Sequence, residues 1–78
     1  GGRMISQPKG TAGLTPAEFY STTRELLIDA RRDRDEAKLR RGAIRIDGER
    51  FNHLSDDRQE DLLELYAAAM NACGVLAP

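Results

Sequence analysis

The side chains that could do chemistry are few in this sequence. There is one cysteine, Cys73, and one histidine, His53. Nucleophilic catalysis needs a nucleophile, a base and an orienting group within reach of each other. Cys73 falls on the apolar stripe of a C-terminal helix, which suits a packed thiol rather than a reactive one. His53 stands just before the cap of that helix and reads as a capping or half-buried ring rather than a general base. One cysteine and one histidine do not make an ordinary zinc site. The acidic pairs Asp56/Asp57 and Glu60/Asp61 are neighbours on a helix and point apart, so they form neither a catalytic dyad nor a dense metal site. Asp47 to Phe51 lacks the alternating acidic ligands of a calcium loop, and no glycine-rich phosphate loop occurs. The expectation is a non-enzymatic chain with no catalytic residue, no metal and no cofactor.

The remaining chemistry is cationic. Arg31 to Phe51 holds eight basic residues in twenty-one, and residues 31–50 carry a net +3, against −4 for residues 51–78. A phosphate-binding surface usually adds hydrogen-bonding groups or stacking aromatics to such a run. Here Asp33, Asp35 and Glu36 interleave with the bases and no aromatic does. That favours a solvated helix end or a surface for an acidic protein over a nucleic-acid site. The candidate interaction residues are Arg31, Arg34, Arg41, Arg45 and Arg50.

Three elements must position them. Thr15, Pro16 and Glu18 spell a capping box with proline at the first helical position, and Leu14 and Phe19 stand at the two positions of a hydrophobic staple. Phe19, Thr23, Leu26, Leu27 and Ala30 then form one helical stripe. We expect this helix to run from Pro16 to about Arg41. The pairs Arg31–Asp35 and Arg32–Glu36 would support its polar end by roughly 0.2–0.5 kcal/mol each, and Gly42 would stop it. Asp47-Gly48 between Ile44-Arg45-Ile46 and Glu49-Arg50-Phe51 signals a type I′ hairpin. Its register places Ile44, Ile46 and Phe51, with His53 beyond them, on one face and Arg45 and Arg50 on the other. Ser55 caps the second helix, with Asp56 and Asp57 in the first turn. Its stripe is Leu62, Tyr66, Ala69, Met70 and Cys73, widened by Leu63 and Leu65, and Gly74 ends it. The predicted fold is therefore α+β: a long helix, a two-stranded antiparallel β-hairpin and a second helix. A winged helix needs a helix-turn-helix before its wing, and an unbroken first helix argues against that DNA-binding alternative.

Seventy-eight residues allow one domain. Gly1, Gly2 and Arg3 read as a cloning remnant before Met4. The stretch 1–13 reads as a flexible tail, which leaves 14–78 for the fold. A core of that size supplies roughly 3–5 kcal/mol. With a single cysteine excluding an internal disulfide, a partner subunit is the natural further source of stability. A first helix longer than the second would overhang it with its charged end, and a second copy could pair that end with the acidic start of its own second helix. A homodimer is thus expected beside a larger protein partner. The free thiol fits a reducing compartment, and no apolar run reaches the ~18 residues of a membrane span.

Leu27 to Ala69 resembles a module of phage and prophage tail-fibre-assembly proteins. In it an Arg/Asp-rich helix leads into a hairpin of the form G-x-x-x-x-x-G-x-x-F, here Gly42, Gly48 and Phe51, and then into an acidic helix start, here Ser55-Asp56-Asp57. The helix–hairpin–helix order is also similar to the small head-to-tail joining proteins of lambda-like phages. The resemblance implies a role in virion assembly, in the cytoplasm of a bacterial host or in the virion, and supplies no catalytic residues.

Overall fold

The computed structural model describes residues 13–75. Apart from Gly13, the expected tail lies outside them. Three α-helices follow one another: α1 (Pro16–Asp33), α2 (Glu36–Asp47) and, after a short 3-10 segment (Glu49–His53), α3 (Asp56–Ala72).

The start of α1 is the predicted one. The Thr15 hydroxyl accepts from the Glu18 backbone N–H at 3.1 Å, and the Glu18 carboxylate accepts from the Thr15 N–H at 2.9 Å. These bonds satisfy two donors that a helix start leaves open. Of the expected stripe, Phe19, Thr23, Leu27 and Ala30 are buried and Leu26 is half-buried. The expected continuation to Arg41 fails. The helix ends at Asp33, and Arg34 takes the left-handed conformation, φ 54° and ψ 44°. Asp35 then starts α2 by accepting from the N–H groups of Ala37 and Lys38 at 3.0 and 3.2 Å. A cap outcompetes the i,i+4 pairs because it satisfies buried-prone backbone donors, whereas exposed ion pairs contribute little. Neither predicted pair forms. Arg32 instead meets Asp29 at 2.9 Å and Asp33 at 3.1 Å, and Glu36 meets Arg40 at 3.9 Å.

The hairpin is also corrected: no strand occurs among the described residues, so the architecture is all-helical rather than α+β. Gly42 does not terminate a helix but lies inside α2, and Asp47-Gly48 is no I′ turn. Gly48 is extended, φ −81° and ψ 165°, a conformation open to any residue. The physical reason lies in the spacing of Leu39, Gly42 and Ile46. Those positions also make a helical stripe, which packs against both neighbouring helices, whereas an isolated two-stranded hairpin is marginal in water. Ile46 and Phe51 face the core as expected. Ile44 does not: it is 71% exposed.

The chain runs up, down and up. Lys38 meets Asp29 and, seven residues on, Arg45 meets Thr22, so α2 is antiparallel to α1. Tyr20 and Arg24 meet Asp61, and the Cys73 thiol lies against the Ala30 carbonyl, so α3 is parallel to α1. Phe19, Leu27, Leu39, Phe51, Leu54 and Leu62 form the core with Ala30 and Ala69. Gly42 sits where α2 crosses α1: a Cβ there would lie 2.6 Å from Leu27 Cδ2. Ser55 caps α3 through Arg58 N–H, as expected. Gly74, at φ 75°, ends it, and Val75 N–H folds back to Met70 O at 2.9 Å. With α1 at 18 residues and α3 at 17, neither overhangs the other, and the overhang expected to drive dimerisation is absent.

Candidate functional site

At one end of the bundle, the start of α1 and the 3-10 segment enclose an open cleft of about 410 Å³. Leu14, Pro16 and Phe19 floor it, and Glu49, Arg50 and His53 edge it. A second cleft of about 300 Å³ adjoins it, sharing Phe19, Glu49 and Arg50 and adding Ile44 and Arg45. Each element is placed by local rules. The capping box sets the entry of α1, and Gly48 turns the chain from α2 into the 3-10 segment. Gln59 then ties that segment to α3 through its amide, which donates to Leu54 O at 2.9 Å.

Arg45 links α2 to α1. Its Nη1 donates to the Thr22 and Thr23 hydroxyls at 2.6 and 3.2 Å, and its guanidinium lies 5.9 Å from the centre of the Phe19 ring. Thr23 is fully buried, and Arg45 gives its hydroxyl a partner, as a buried polar group requires. Burial, and secondly the nearby Arg41, lower the Arg45 pKa from its ordinary value. Arg50 donates to Leu14 O at 3.2 Å and so holds the segment before α1 against the 3-10 segment.

The five expected interaction residues form two groups. Arg41, Arg45 and Arg50 belong to the cleft end, with Arg41 exposed one turn before Arg45 on α2. Arg31 and Arg34 are exposed at the other end, around the α1–α2 turn. None of the five has a carboxylate within ion-pairing distance among the described residues. Their neighbours Arg24, Arg32, Lys38 and Arg40 all do. Reading the sequence places Thr23 on the α1 stripe but misses its bond to Arg45, misses Thr22, and puts Ile44 on a buried face where it is exposed.

Elsewhere, several ionisable groups pair within the fold. The Asp61 carboxylate accepts from the Tyr20 hydroxyl at 2.6 Å and from Arg24 Nε at 3.1 Å. The bond to Asp61, then burial, raise the Tyr20 pKa. The Arg32 guanidinium holds the Asp33 carboxyl below its ordinary value. His53 and Cys73 flank the two ends of α3, about 26 Å apart at 1.5 Å per residue, and so form no nucleophile–base pair. No group of three or more His, Cys, Asp or Glu side chains among the described residues is placed to hold a metal ion. No helix among them is long and apolar enough to cross a membrane.

The break at Arg34 removes the unbroken first helix that weighed against a DNA-binding helix-turn-helix. Its geometry is nevertheless different. A DNA-binding pair crosses at about 90–120° and frees its second helix for the groove, whereas α2 lies alongside α1 over two turns. Compared with known proteins, the chain matches no family model, no curated protein and no solved structure.

Proposed function

We propose that this chain is a non-enzymatic interaction module that docks an acidic, apolar-anchored segment of a larger protein on the cleft between the start of α1 and the end of α2. The observation that carries this reading is the uncancelled charge of Arg45 and Arg50 beside Phe19 and the 71% exposed Ile44. A cation without a carboxylate partner, set against apolar surface, suits a segment that brings glutamates or aspartates around one large apolar side chain. Arg41 extends the same cationic rim. The biological setting we propose is phage or prophage virion assembly. It is supported by the resemblance of Leu27–Ala69 to tail-fibre-assembly modules, of which the Ser55-Asp56-Asp57 helix start is kept, while the Arg/Asp-rich helix is broken at Arg34 and the hairpin is replaced by a helix end and a 3-10 segment.

A labelled peptide of glutamates around a Leu-Phe pair tests the docking by NMR shift mapping on the full chain. We expect shifts confined to Leu14–Phe19 and Ile44–His53, and binding weakened about tenfold by Ile44→Glu or Arg50→Glu. Shifts elsewhere, or binding indifferent to both changes, would refute the cleft. A duplex DNA arm separates the alternative of a DNA-binding regulator. Binding there that falls with salt by about 0.9 in log–log slope per phosphate contacted would favour it.

A further inference from the structure

The outward face of α3 carries what the docking cleft lacks. Asp56, Glu60, Leu63, Glu64 and Ala67 fall at i, i+4, i+7, i+8 and i+11, one helical stripe, and all of them are exposed. Leu63 is the large apolar side chain of the stripe, 45% exposed, with Glu60 one turn before it and Glu64 beside it. Among the described residues no cation comes within ion-pairing distance of Asp56, Glu60 or Glu64. Asp61 differs: it is turned toward α1 and meets Tyr20 and Arg24. Arg58, the one basic residue of α3, lies over the Tyr20 ring at 5.0 Å, away from the stripe. The cleft has the converse pattern. Arg45 and Arg50 line it without carboxylate partners among the described residues, Arg41 stands one turn before Arg45, and Ile44 is 71% exposed. Glu49 is the one acid among its lining residues.

We propose that the cleft of one copy takes the α3 face of a second copy. The inference rests on the docking reading of the cleft and names an occupant for it. Complementary charge selects that occupant: Arg41, Arg45 and Arg50 beside Ile44 on one surface meet Asp56, Glu60 and Glu64 beside Leu63 on the other. An exposed helix face laid into a groove is also a recurrent mode of recognition. Cleft on cleft, or α3 on α3, would oppose like charges and is disfavoured. The two surfaces share no residue, so each copy can offer both at once. Where the rotation between copies is two-fold, both contacts form together and the pair is closed; any other rotation carries association on into a ring or an open chain. An acidic segment of a larger protein then competes with the second copy for the same cleft.

Sedimentation equilibrium of the full chain from ~10 to ~500 µM, at low and high salt, tests the contact. We expect self-association that weakens as salt rises. Ile44→Glu in the cleft and Leu63→Lys on α3 should each weaken it about tenfold with helicity unchanged by circular dichroism. An equimolar mixture of the two variants should associate more tightly than either alone, because each supplies the surface the other has lost. The Leu63→Lys chain should still bind the acidic Leu-Phe peptide as the wild type does, and the peptide should dissociate the wild-type assembly. A chain that binds the peptide yet stays monomeric at low salt overturns the second copy as occupant and leaves the cleft standing, whereas absence of both overturns both readings. Association that tightens with salt, a measurement that needs no variant to fold, also overturns the proposal. So does a mixture that associates no better than its components.

Discussion

Asp61 of α3 meets both Tyr20 and Arg24 of α1, so the polar contact across that seam is closed: one carboxylate serves a hydroxyl and a guanidinium. Across the other seam Arg45 of α2 meets only the hydroxyls of Thr22 and Thr23. Both contacts satisfy hydrogen bonds, but only the first cancels charge. Nor do the two seams approach alike. α2 comes close to α1 through the bare backbone of Gly42, against the fully buried Leu27. The α1–α3 seam therefore reads as finished structure. The α1–α2 seam is held by contacts that leave a half-buried cation without a carboxylate partner among the described residues, and it is there that the docking cleft opens. A polar contact that leaves its charge open is a better pointer to a partner than a count of arginines.

The largest test of this contrast is Gly42→Val. The added Cβ would lie 2.6 Å from Leu27 Cδ2 and 3.3 Å from its Cγ. Leu27 is enclosed and has nowhere to move without disturbing the core. We expect a loss of about 1–3 kcal/mol from overpacking, which lowers Tm by roughly 4–8 °C per kcal/mol in a domain this small. Differential scanning calorimetry measures it. An unchanged Tm would mean that α1 and α2 stand further apart than described and that Gly42 is not what closes their seam.

The other seam is tested by Tyr20→Phe, which removes the bond to Asp61 and should cost about 1 kcal/mol. The linkage has a definite sign. The folded-state Tyr20 pKa is raised by its bond to Asp61 and by burial, so the folded protein holds the phenol proton more tightly than the unfolded chain does. The stabilisation is fully present below the unfolded value of about 10 and is lost as pH rises through the higher folded value. Urea denaturation from neutral pH to beyond pH ~10 should show a wild-type decline that is smaller in Tyr20→Phe. Parallel profiles would detach Tyr20 from the seam.

How much of this is legible in the sequence depends on how local the cause is. The capping box at Thr15, the stripe of α1, the Ser55 cap and the Gly74 stop each depend on residues within one or two turns, and all are readable. The segment from Arg34 to Phe51 is not. Ile44-Arg45-Ile46 alternates like a strand, and Asp47-Gly48 is a strong turn signal. Leu39, Gly42 and Ile46 are nevertheless spaced for a helix too, and short apolar runs do not separate the two periods. Tertiary contact decides, through the Gly42–Leu27 approach and the Arg45–Thr23 bond. The end of α1 carries no glycine or proline, and only two faint signs mark it: the apolar stripe thins after Ala30, and Asp35 precedes Glu36-Ala37-Lys38 as a cap would. The candidate site inherits the same division. Its arginines are visible in the sequence as members of a basic run. The cleft that Arg45 and Arg50 line, and the exposure of Ile44, follow from a helix–helix register that no local pattern states.

Arg34 offers the smallest and most diagnostic change, because its charge belongs to neither seam. It holds φ 54°, a left-handed conformation that a side chain with a Cβ adopts at a cost of about 1–2 kcal/mol. Glycine takes the same conformation freely but loses more chain entropy on folding, about 0.5–1 kcal/mol. The difference leaves Arg34→Gly more stable by a few tenths to about 1 kcal/mol, readable as a raised urea midpoint. Its guanidinium has no carboxylate partner to lose among the described residues, so no lost ion pair offsets that gain. If docking uses the cleft end, where Arg41, Arg45 and Arg50 gather, acidic-peptide affinity should hardly change in this variant, since the turn lies some eleven residues of α2 from Arg45, on the order of 15 Å. A large loss of affinity together with the raised midpoint would move the docking surface from the cleft to the turn, to Arg31 and Arg34. It would leave the α1–α2 seam with no open charge to explain.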